Sequence, residues 1–410
     1  MAFVRGCTSR AFSALAFILL ARHLSVRTFG QYIAVWALLR IFSVLLSLGL
    51  DPWILYTCGA IRRQDQHKLI VAWTTAVCVK GGMGILWMSV IWIISLIWEH
   101  NIFTPQVMVW GALAVWFEEL LSLVWTFFKA TLRNHMTFLT MAGFQVAILG
   151  TYLGAIWQGV QTVEAFFFVR ASTTGIVALL LLVWIAYREG FHLVPQAIWS
   201  SVRSALPFGL SMFLSLIYGR ADITIVATLL GREAAGLYGP AVSLLTTLLL
   251  VPMSVYSVTM PFLSGVYRET PDGFSGKVLR SLWWYSALGI SLMVVTVWIA
   301  QPLVQLLYGQ SYQITSWLLR LLSPIFFFRS LTLALSSALV AVGYQKLRVR
   351  VQFLVALLNV IGNFLVIPRF HLAGVALLYV ISEALLVAGY GLLILQWCAV
   401  KSKMFRVKAV

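Results

Sequence analysis

The chain has 410 residues, 61% hydrophobic and 10% charged, with 29 Lys and Arg against 12 Asp and Glu. Soluble domains carry about 25% charged residues, so this composition excludes a soluble globular protein. The formal net charge of +17 comes from scattered residues with no basic run interleaved with exposed aromatics, which argues against nucleic-acid binding. The four cysteines, Cys7, Cys58, Cys78 and Cys398, have no metal-ligand spacing.

A membrane-crossing helix needs about 20 mostly apolar residues. Twelve such segments are expected, at 3–22, 29–57, 69–97, 106–128, 138–157, 164–186, 206–230, 235–265, 279–303, 314–343, 350–368 and 373–396. The first has the look of a signal peptide, but Arg10 interrupts its apolar stretch and no small-residue cleavage site follows. It is expected to span. Pro207, Pro240, Pro252, Pro261 and Pro324 fall within or at the ends of spans and predict bent or interrupted helices.

The loops are short; the longest, residues 187–205, joins two halves. Basic loop residues concentrate on one side, from Arg5, Arg62 and Arg63 through Lys346, Arg348 and Arg350 to the terminal lysines. Arg22, Arg27, Arg232 and Arg369 are those of the other side. By the positive-inside rule both termini are expected in the cytoplasm. The predicted organisation is an N-terminal six-helix lobe over 1–190, a cytoplasmic linker over 191–205, a C-terminal six-helix lobe over 206–400 and a basic cytoplasmic tail over 401–410.

Residues 21–39 align without gaps on 227–245, an offset of about half the chain. Leucine matches mean little in apolar sequence. The pairing of Gly30 and Tyr32 with Gly236 and Tyr238, at the same place after a span, means more. Two halves that each contain six spans enter the membrane from the same side. The expected relation is a parallel repeat about an axis along the membrane normal, with a substrate cavity between the lobes.

Seven basic residues lie inside spans: Arg10, Arg40, Lys80, Arg170, Arg220, Arg320 and Arg329. Each would cost about 2.5–3.5 kcal/mol facing lipid at mid-membrane, so they must face a polar interior, be paired or reach an interface. Arg40, Lys80, Arg220 and Arg329 are placed deep and are the candidates for a cationic, substrate-binding cavity. Arg10, Arg170 and Arg320 lie nearer the interfaces, where snorkelling competes with a cavity role. Among the acidic residues, Asp51 lies nearer the cytoplasm, while Glu118, Glu119, Asp222 and Glu383 are candidates for ion coupling or for structural pairing, such as Glu383 with a nearby Arg. Arg220 and Asp222, about 200° apart on a helix, point to different faces; Glu118 and Glu119 are about 100° apart. Asn359 and Asn363 share a face and read as packing between helices. No catalytic, nucleotide or metal motif occurs, so neither an enzyme nor a cofactor is expected.

Three stretches carry a family resemblance: LARHLSVRTFGQYIAVWALLRIFSVLLSLGLD (20–51), LPFGLSMFLSLIYGRADITIVATLLGREAAGLYGPAVSLL (206–245) and ALVAVGYQKLRVRVQFLVALLNVIGNFLVIPRFHLAGVALLYVISEALL (338–386). They resemble, in order and spacing, the polysaccharide-transport family of oligosaccharide-lipid flippases in the MOP exporter superfamily. The resemblance implies an all-α integral membrane protein of about twelve helices in two six-helix, MATE-like lobes. It implies movement of a polyprenyl-diphosphate-linked oligosaccharide across the cytoplasmic membrane of a prokaryote, coupled to a proton or sodium gradient and serving O-antigen-like surface polysaccharide assembly, with a glycan polymerase and a chain-length regulator as partners. The physics agrees, because Arg binds phosphate oxygens in pairs. Two alternatives remain. One is a MATE-type small-molecule exporter, disfavoured by the intraspan excess of basic residues. The other is a polytopic glycan polymerase or ligase, disfavoured by the short external loops.

Overall fold

The computed structural model describes residues 2–58, 66–97, 102–269 and 273–408, with side chains except at 2–11, 58, 66, 97, 211, 214, 215, 218 and 399–408. Arg10 therefore lies outside the described side chains. The architecture is all-α, with no strand among the described residues. Nine helical stretches in that set are long and apolar enough to cross a membrane. One of these, Gln345–Cys398, contains two crossings, and the helices Ala2–His23 and Pro195–Leu230 complete the expected twelve.

The chain divides into two compact units, 1–236 and 237–410. In the first, α1 (Ala2–His23) packs on α7 (Asn134–Trp157), and α6 (Pro105–Ala130) lies between α5 (Gln66–Ile97) and α8 (Val163–Glu189). The long α9 (Pro195–Leu230), which the sequence expects to open the second lobe, packs on α2 (Val26–Phe42), α3 (Val44–Ser47), α4 (Leu50–Cys58) and α5, inside the first unit. In the second unit α14 (Pro324–Ala341) is central, against α11 (Leu250–Glu269), α12 (Phe274–Tyr308) and α15 (Gln345–Lys408). The unit also holds α13 (Gln313–Leu322) and most of α10 (Arg232–Leu248). The α15 segment is broken at His371 (φ 49°, ψ −137°).

Local chemistry explains the breaks. Ser25 caps α2, its hydroxyl accepting from Thr28 N–H at 3.2 Å. Pro105, Pro195 and Pro324 open their helices, where a missing N–H costs nothing. The span expected over 314–343 is interrupted at Ser323, just before Pro324, and that over 235–265 is interrupted at Leu249, before Pro252. Pro207, Pro240 and Pro261 sit inside continuous helices.

The span expected over 29–57 holds an unforeseen break. Ser43 ends α2, Leu48 adopts a left-handed conformation (φ 47°) and Gly49 follows at φ 77°. Gly49 also needs its missing side chain: a Cβ there would come within 2.2 Å of the Gly209 backbone nitrogen on α9. The break therefore lets two backbones touch, and it sets Asp51 in the first turn of α4.

The two glycines of the repeat meet each other's helices. A Cβ at Gly30 would lie 1.8 Å from the Arg232 carbonyl oxygen, and one at Gly236 would lie 2.1 Å from that of Val26. Val26 and Arg232 are themselves one repeat offset apart, so the contact is reciprocal. Arg232 Nη1 adds a hydrogen bond to Gln31 Oε1 at 2.9 Å, and Gln31 Nε2 donates to the Ile102 carbonyl at 2.9 Å.

Candidate functional site

Five helices of the first unit bring six charges together. Lys80, on α5, is fully enclosed at 0% side-chain exposure. Its Nζ lies 2.5 Å from Asp51 Oδ2, 2.9 Å from Ser122 Oγ, 2.9 Å from the Glu119 carbonyl and 3.1 Å from Glu119 Oε2. Three ammonium protons thus serve four acceptors, two of them on one residue. Asp51 also accepts from Thr126 Oγ1 at 2.9 Å and from Ser122 Oγ at 3.2 Å. Glu119, Ser122 and Thr126 are spaced three and four apart, so α6 presents them as one stripe.

Arg40, on α2, bridges the adjacent carboxylates. Its Nη1 lies 3.6 Å from Glu118 Oε2 and 3.5 Å from Glu119 Oε1. Glu118 turns toward α8, where Arg170 Nε and Nη2 grip its Oε1 at 3.0 and 2.5 Å. Arg170 Nη1 reaches Tyr152 Oη at 3.3 Å, and its guanidinium lies 4.2 Å from the centre of the Trp36 ring. Tyr32 and Tyr152 are linked through their hydroxyls at 3.0 Å. Three cations and three carboxylates form one chain, Asp51–Lys80–Glu119–Arg40–Glu118–Arg170, which is neutral in sum. Burying these ions costs several kcal/mol each, offset only when every member keeps its partners.

Arg220, on α9, adds the surplus charge. It is partly exposed, lies within electrostatic reach of Arg40, Glu118 and Asp222, and takes part in no ion pair among the described residues. Asp222 is buried and accepts from the Ile223 N–H at 2.8 Å. The opposed faces expected for these two residues are thus reflected in their surroundings.

The four expected cavity cations have unlike settings. Lys80 is enclosed and engaged by Asp51, Glu119 and Ser122. Arg329 belongs to the second unit, where it joins Glu383 at 3.0 Å, with side-chain exposures of 29% and 0%. Arg40, 27% exposed, and Arg220 are the two that the first unit leaves partly open. Asn359 Nδ2 donates across the His371 break to Ser382 Oγ at 2.9 Å, an interhelical bond, while Asn363 Nδ2 donates to Asn359 Oδ1 at 3.2 Å within its own helical stretch. Arg320 is exposed and donates to Gln301 Oε1 at 3.2 Å. Arg170, for which the sequence left an interfacial role open, sits inside the network. The residues missed were Trp36, Tyr32, Tyr152, Ser122 and Thr126. The helical spacing of Ser122 and Thr126 from Glu119 was a usable signal for two of them.

The chain is an all-α, polytopic membrane protein with a charged network inside its apolar helices, and solved transporters of the MOP superfamily carry the same fold. An inward-facing multidrug resistance MATE transporter of that superfamily superposes with a TM-score of 0.78 at 12% identity, covering 98% of this chain and 99% of that one. The lipid II flippase MurJ, in an inward closed conformation, gives 0.74 at 13% identity over 96% and 87%. A MOP transporter from Pyrococcus furiosus, described as having a binding pocket of reverse polarity, gives 0.64 at 12% over 98% and 94%. These neighbours are transporters and a flippase, not enzymes.

Residues 19–316 match the profile of the family described as polysaccharide biosynthesis protein, and the chain belongs to that family. A curated relative, the capsular polysaccharide biosynthesis protein CapF of Staphylococcus aureus, is 22% identical over 186 residues. That match spans 45% of this chain and about half, 47%, of the relative.

Proposed function

We propose that the protein is a flippase that carries a polyprenyl-diphosphate-linked oligosaccharide across the cytoplasmic membrane by alternating access, for surface polysaccharide synthesis. The observation that carries this reading is Arg220, a partly exposed guanidinium beside a charge network that is neutral in sum, with Arg40, the network's own partly exposed cation, within electrostatic reach of it. Inside spans, where water screens little, a surplus cation attracts a phosphate strongly. The polysaccharide family and the fold support a cargo of lipid-linked glycan.

The basic loops support cytoplasmic termini. Coupling to a proton or sodium gradient is proposed through the intraspan carboxylates, Glu118, Glu119, Asp222 and Glu383. A glycan polymerase and a chain-length regulator are the proposed downstream partners.

The test is translocation in proteoliposomes loaded with a fluorescent polyprenyl-diphosphate sugar. Arg40→Ala and Arg220→Ala should each slow transfer about tenfold or more, as expected for losing a charge-assisted contact of about 1.5–3 kcal/mol. Wild-type rates in both variants, at equal protein density, would refute the assignment.

A further inference from the structure

Residues 237–410 contain three acidic side chains, Glu269, Asp272 and Glu383. Of these, Glu383 lies deep within a span and is joined to Arg329. A second guanidinium approaches the same helices. Arg348, which the sequence assigns to a loop, lies in the first turn of α15 and donates from Nη1 to Ser336 Oγ on α14. Its Nε is shut away from solvent and has no hydrogen-bond partner among the described residues. No ion pair among them includes it.

Tyr390, 2% exposed, lies within electrostatic reach of Arg348, Arg329 and Glu383. Arg329 and Ser336 are two turns apart on one face of α14, about 10 Å along the axis. Two guanidiniums therefore line up along the packed faces of α14 and α15 with one carboxylate for both. Lys346 and Arg350, exposed on the same turn as Arg348, raise the positive potential there.

We propose that Arg348 is a binding residue for a lipid-borne phosphate, forming a loading site at the end of the second unit where α14 turns into α15. Ser336 positions its guanidinium, and Arg329 is the next cation along the same face. The inference rests on the proposed function, in which this turn faces the cytoplasm and cargo enters from that side. A half-buried guanidinium with an unmade N–H bond is an unfavourable arrangement. A phosphate relieves it, because two of its oxygens take Nε and a terminal nitrogen together once the side chain turns. A cargo diphosphate and a bilayer phospholipid share this chemistry.

The experiment titrates full-length protein in detergent with farnesyl diphosphate, farnesol and phosphatidylglycerol, with binding read by native mass spectrometry. Farnesyl diphosphate should bind and farnesol should not. R348A should weaken diphosphate binding tenfold or more, and R348K should weaken it less, since lysine keeps the charge but lacks the fork. R348Q, which can still bond Ser336, should match R348A and serves where R348A fails to fold. If phosphatidylglycerol binding falls in parallel, the site accepts any lipid phosphate; if it does not, the site selects the diphosphate. Both results support the assignment. Unchanged lipid affinity in folded R348A or R348Q, or no phosphate-dependent binding to wild type, overturns it. Unchanged affinity in the variants leaves Arg40 and Arg220 untouched, since their translocation assay stands apart, whereas no phosphate-dependent binding to wild type would count against both sites.

Discussion

Replacing Lys80 by methionine keeps an unbranched apolar stem and removes the charge, leaving Asp51 and Glu119 enclosed without their shared cation. Breaking a buried ion pair by removing one partner costs about 3–5 kcal/mol. The surroundings temper this. Asp51 keeps Thr126 and Ser122 as donors, and Glu119 keeps Arg40 at 3.5 Å. The loss should therefore fall near the lower end, about 3 kcal/mol. For a unit of 150–250 residues each kcal/mol moves the midpoint by roughly 2–4 °C, so Tm should fall by about 6–12 °C. The decisive comparison is the triple variant K80M/D51N/E119Q, which leaves no carboxylate enclosed without a cation and should recover most of the loss. Thermal unfolding of the purified protein in detergent, followed by tryptophan fluorescence, measures both. A Tm for K80M within about 2 °C of wild type would refute the reasoning, since that is under 1 kcal/mol. So would a triple variant no more stable than the single.

The pair in the second unit should show an asymmetry. R329A takes the paired cation from Glu383 at 0% exposure, whereas E383Q takes the carboxylate from an Arg329 whose side chain is 29% exposed, so R329A should lower Tm more. Equal effects would contradict the burial difference. Gly30→Ala drives a methyl against the Arg232 carbonyl and should cost at least about 1–3 kcal/mol of stability. Gly154→Ala, at a helical position with open space around it, should be neutral or stabilising by about 0.5–1 kcal/mol; abundance and Tm of the two variants check the contrast. R40A should leave Tm within a few degrees of wild type, because Glu118 keeps Arg170 and Glu119 keeps Lys80. A collapse of the R40A fold would make Arg40 a structural residue instead.

Hydropathy alone located the twelve crossings, because a run of apolar side chains needs no knowledge of its neighbours. The break at Leu48 and Gly49 escaped it. Pro52 stands in the first turn of α4, where it is compatible with a helix start and does not by itself announce a left-handed turn; that turn meets the Gly209 backbone of α9, a contact 160 residues away in sequence. The buried charges were legible one at a time, since each is costly in lipid. Their partners were not, because partnership depends on how each helix is rotated in the packing. Glu118 and Glu119 show this: neighbours in sequence, they are divided between Arg170 on α8 and Lys80 on α5, with Arg40 between them. Arg348 was misjudged for the opposite reason. It stands beside a turn, and only its bond to Ser336 draws it inward.

The Asp51–Lys80–Glu119 cluster also bears on the order in which the chain is made. Asp51 emerges from the ribosome 29 residues ahead of Lys80, and Glu119 follows 39 residues behind it. When α5 first enters the bilayer its lysine is worth about 2.5–3.5 kcal/mol against insertion, and one of its two carboxylates has yet to be translated. Asp51 is the partner already in place. The two helices then enter as mutual counterions, and α6 arrives to complete a site half assembled during synthesis.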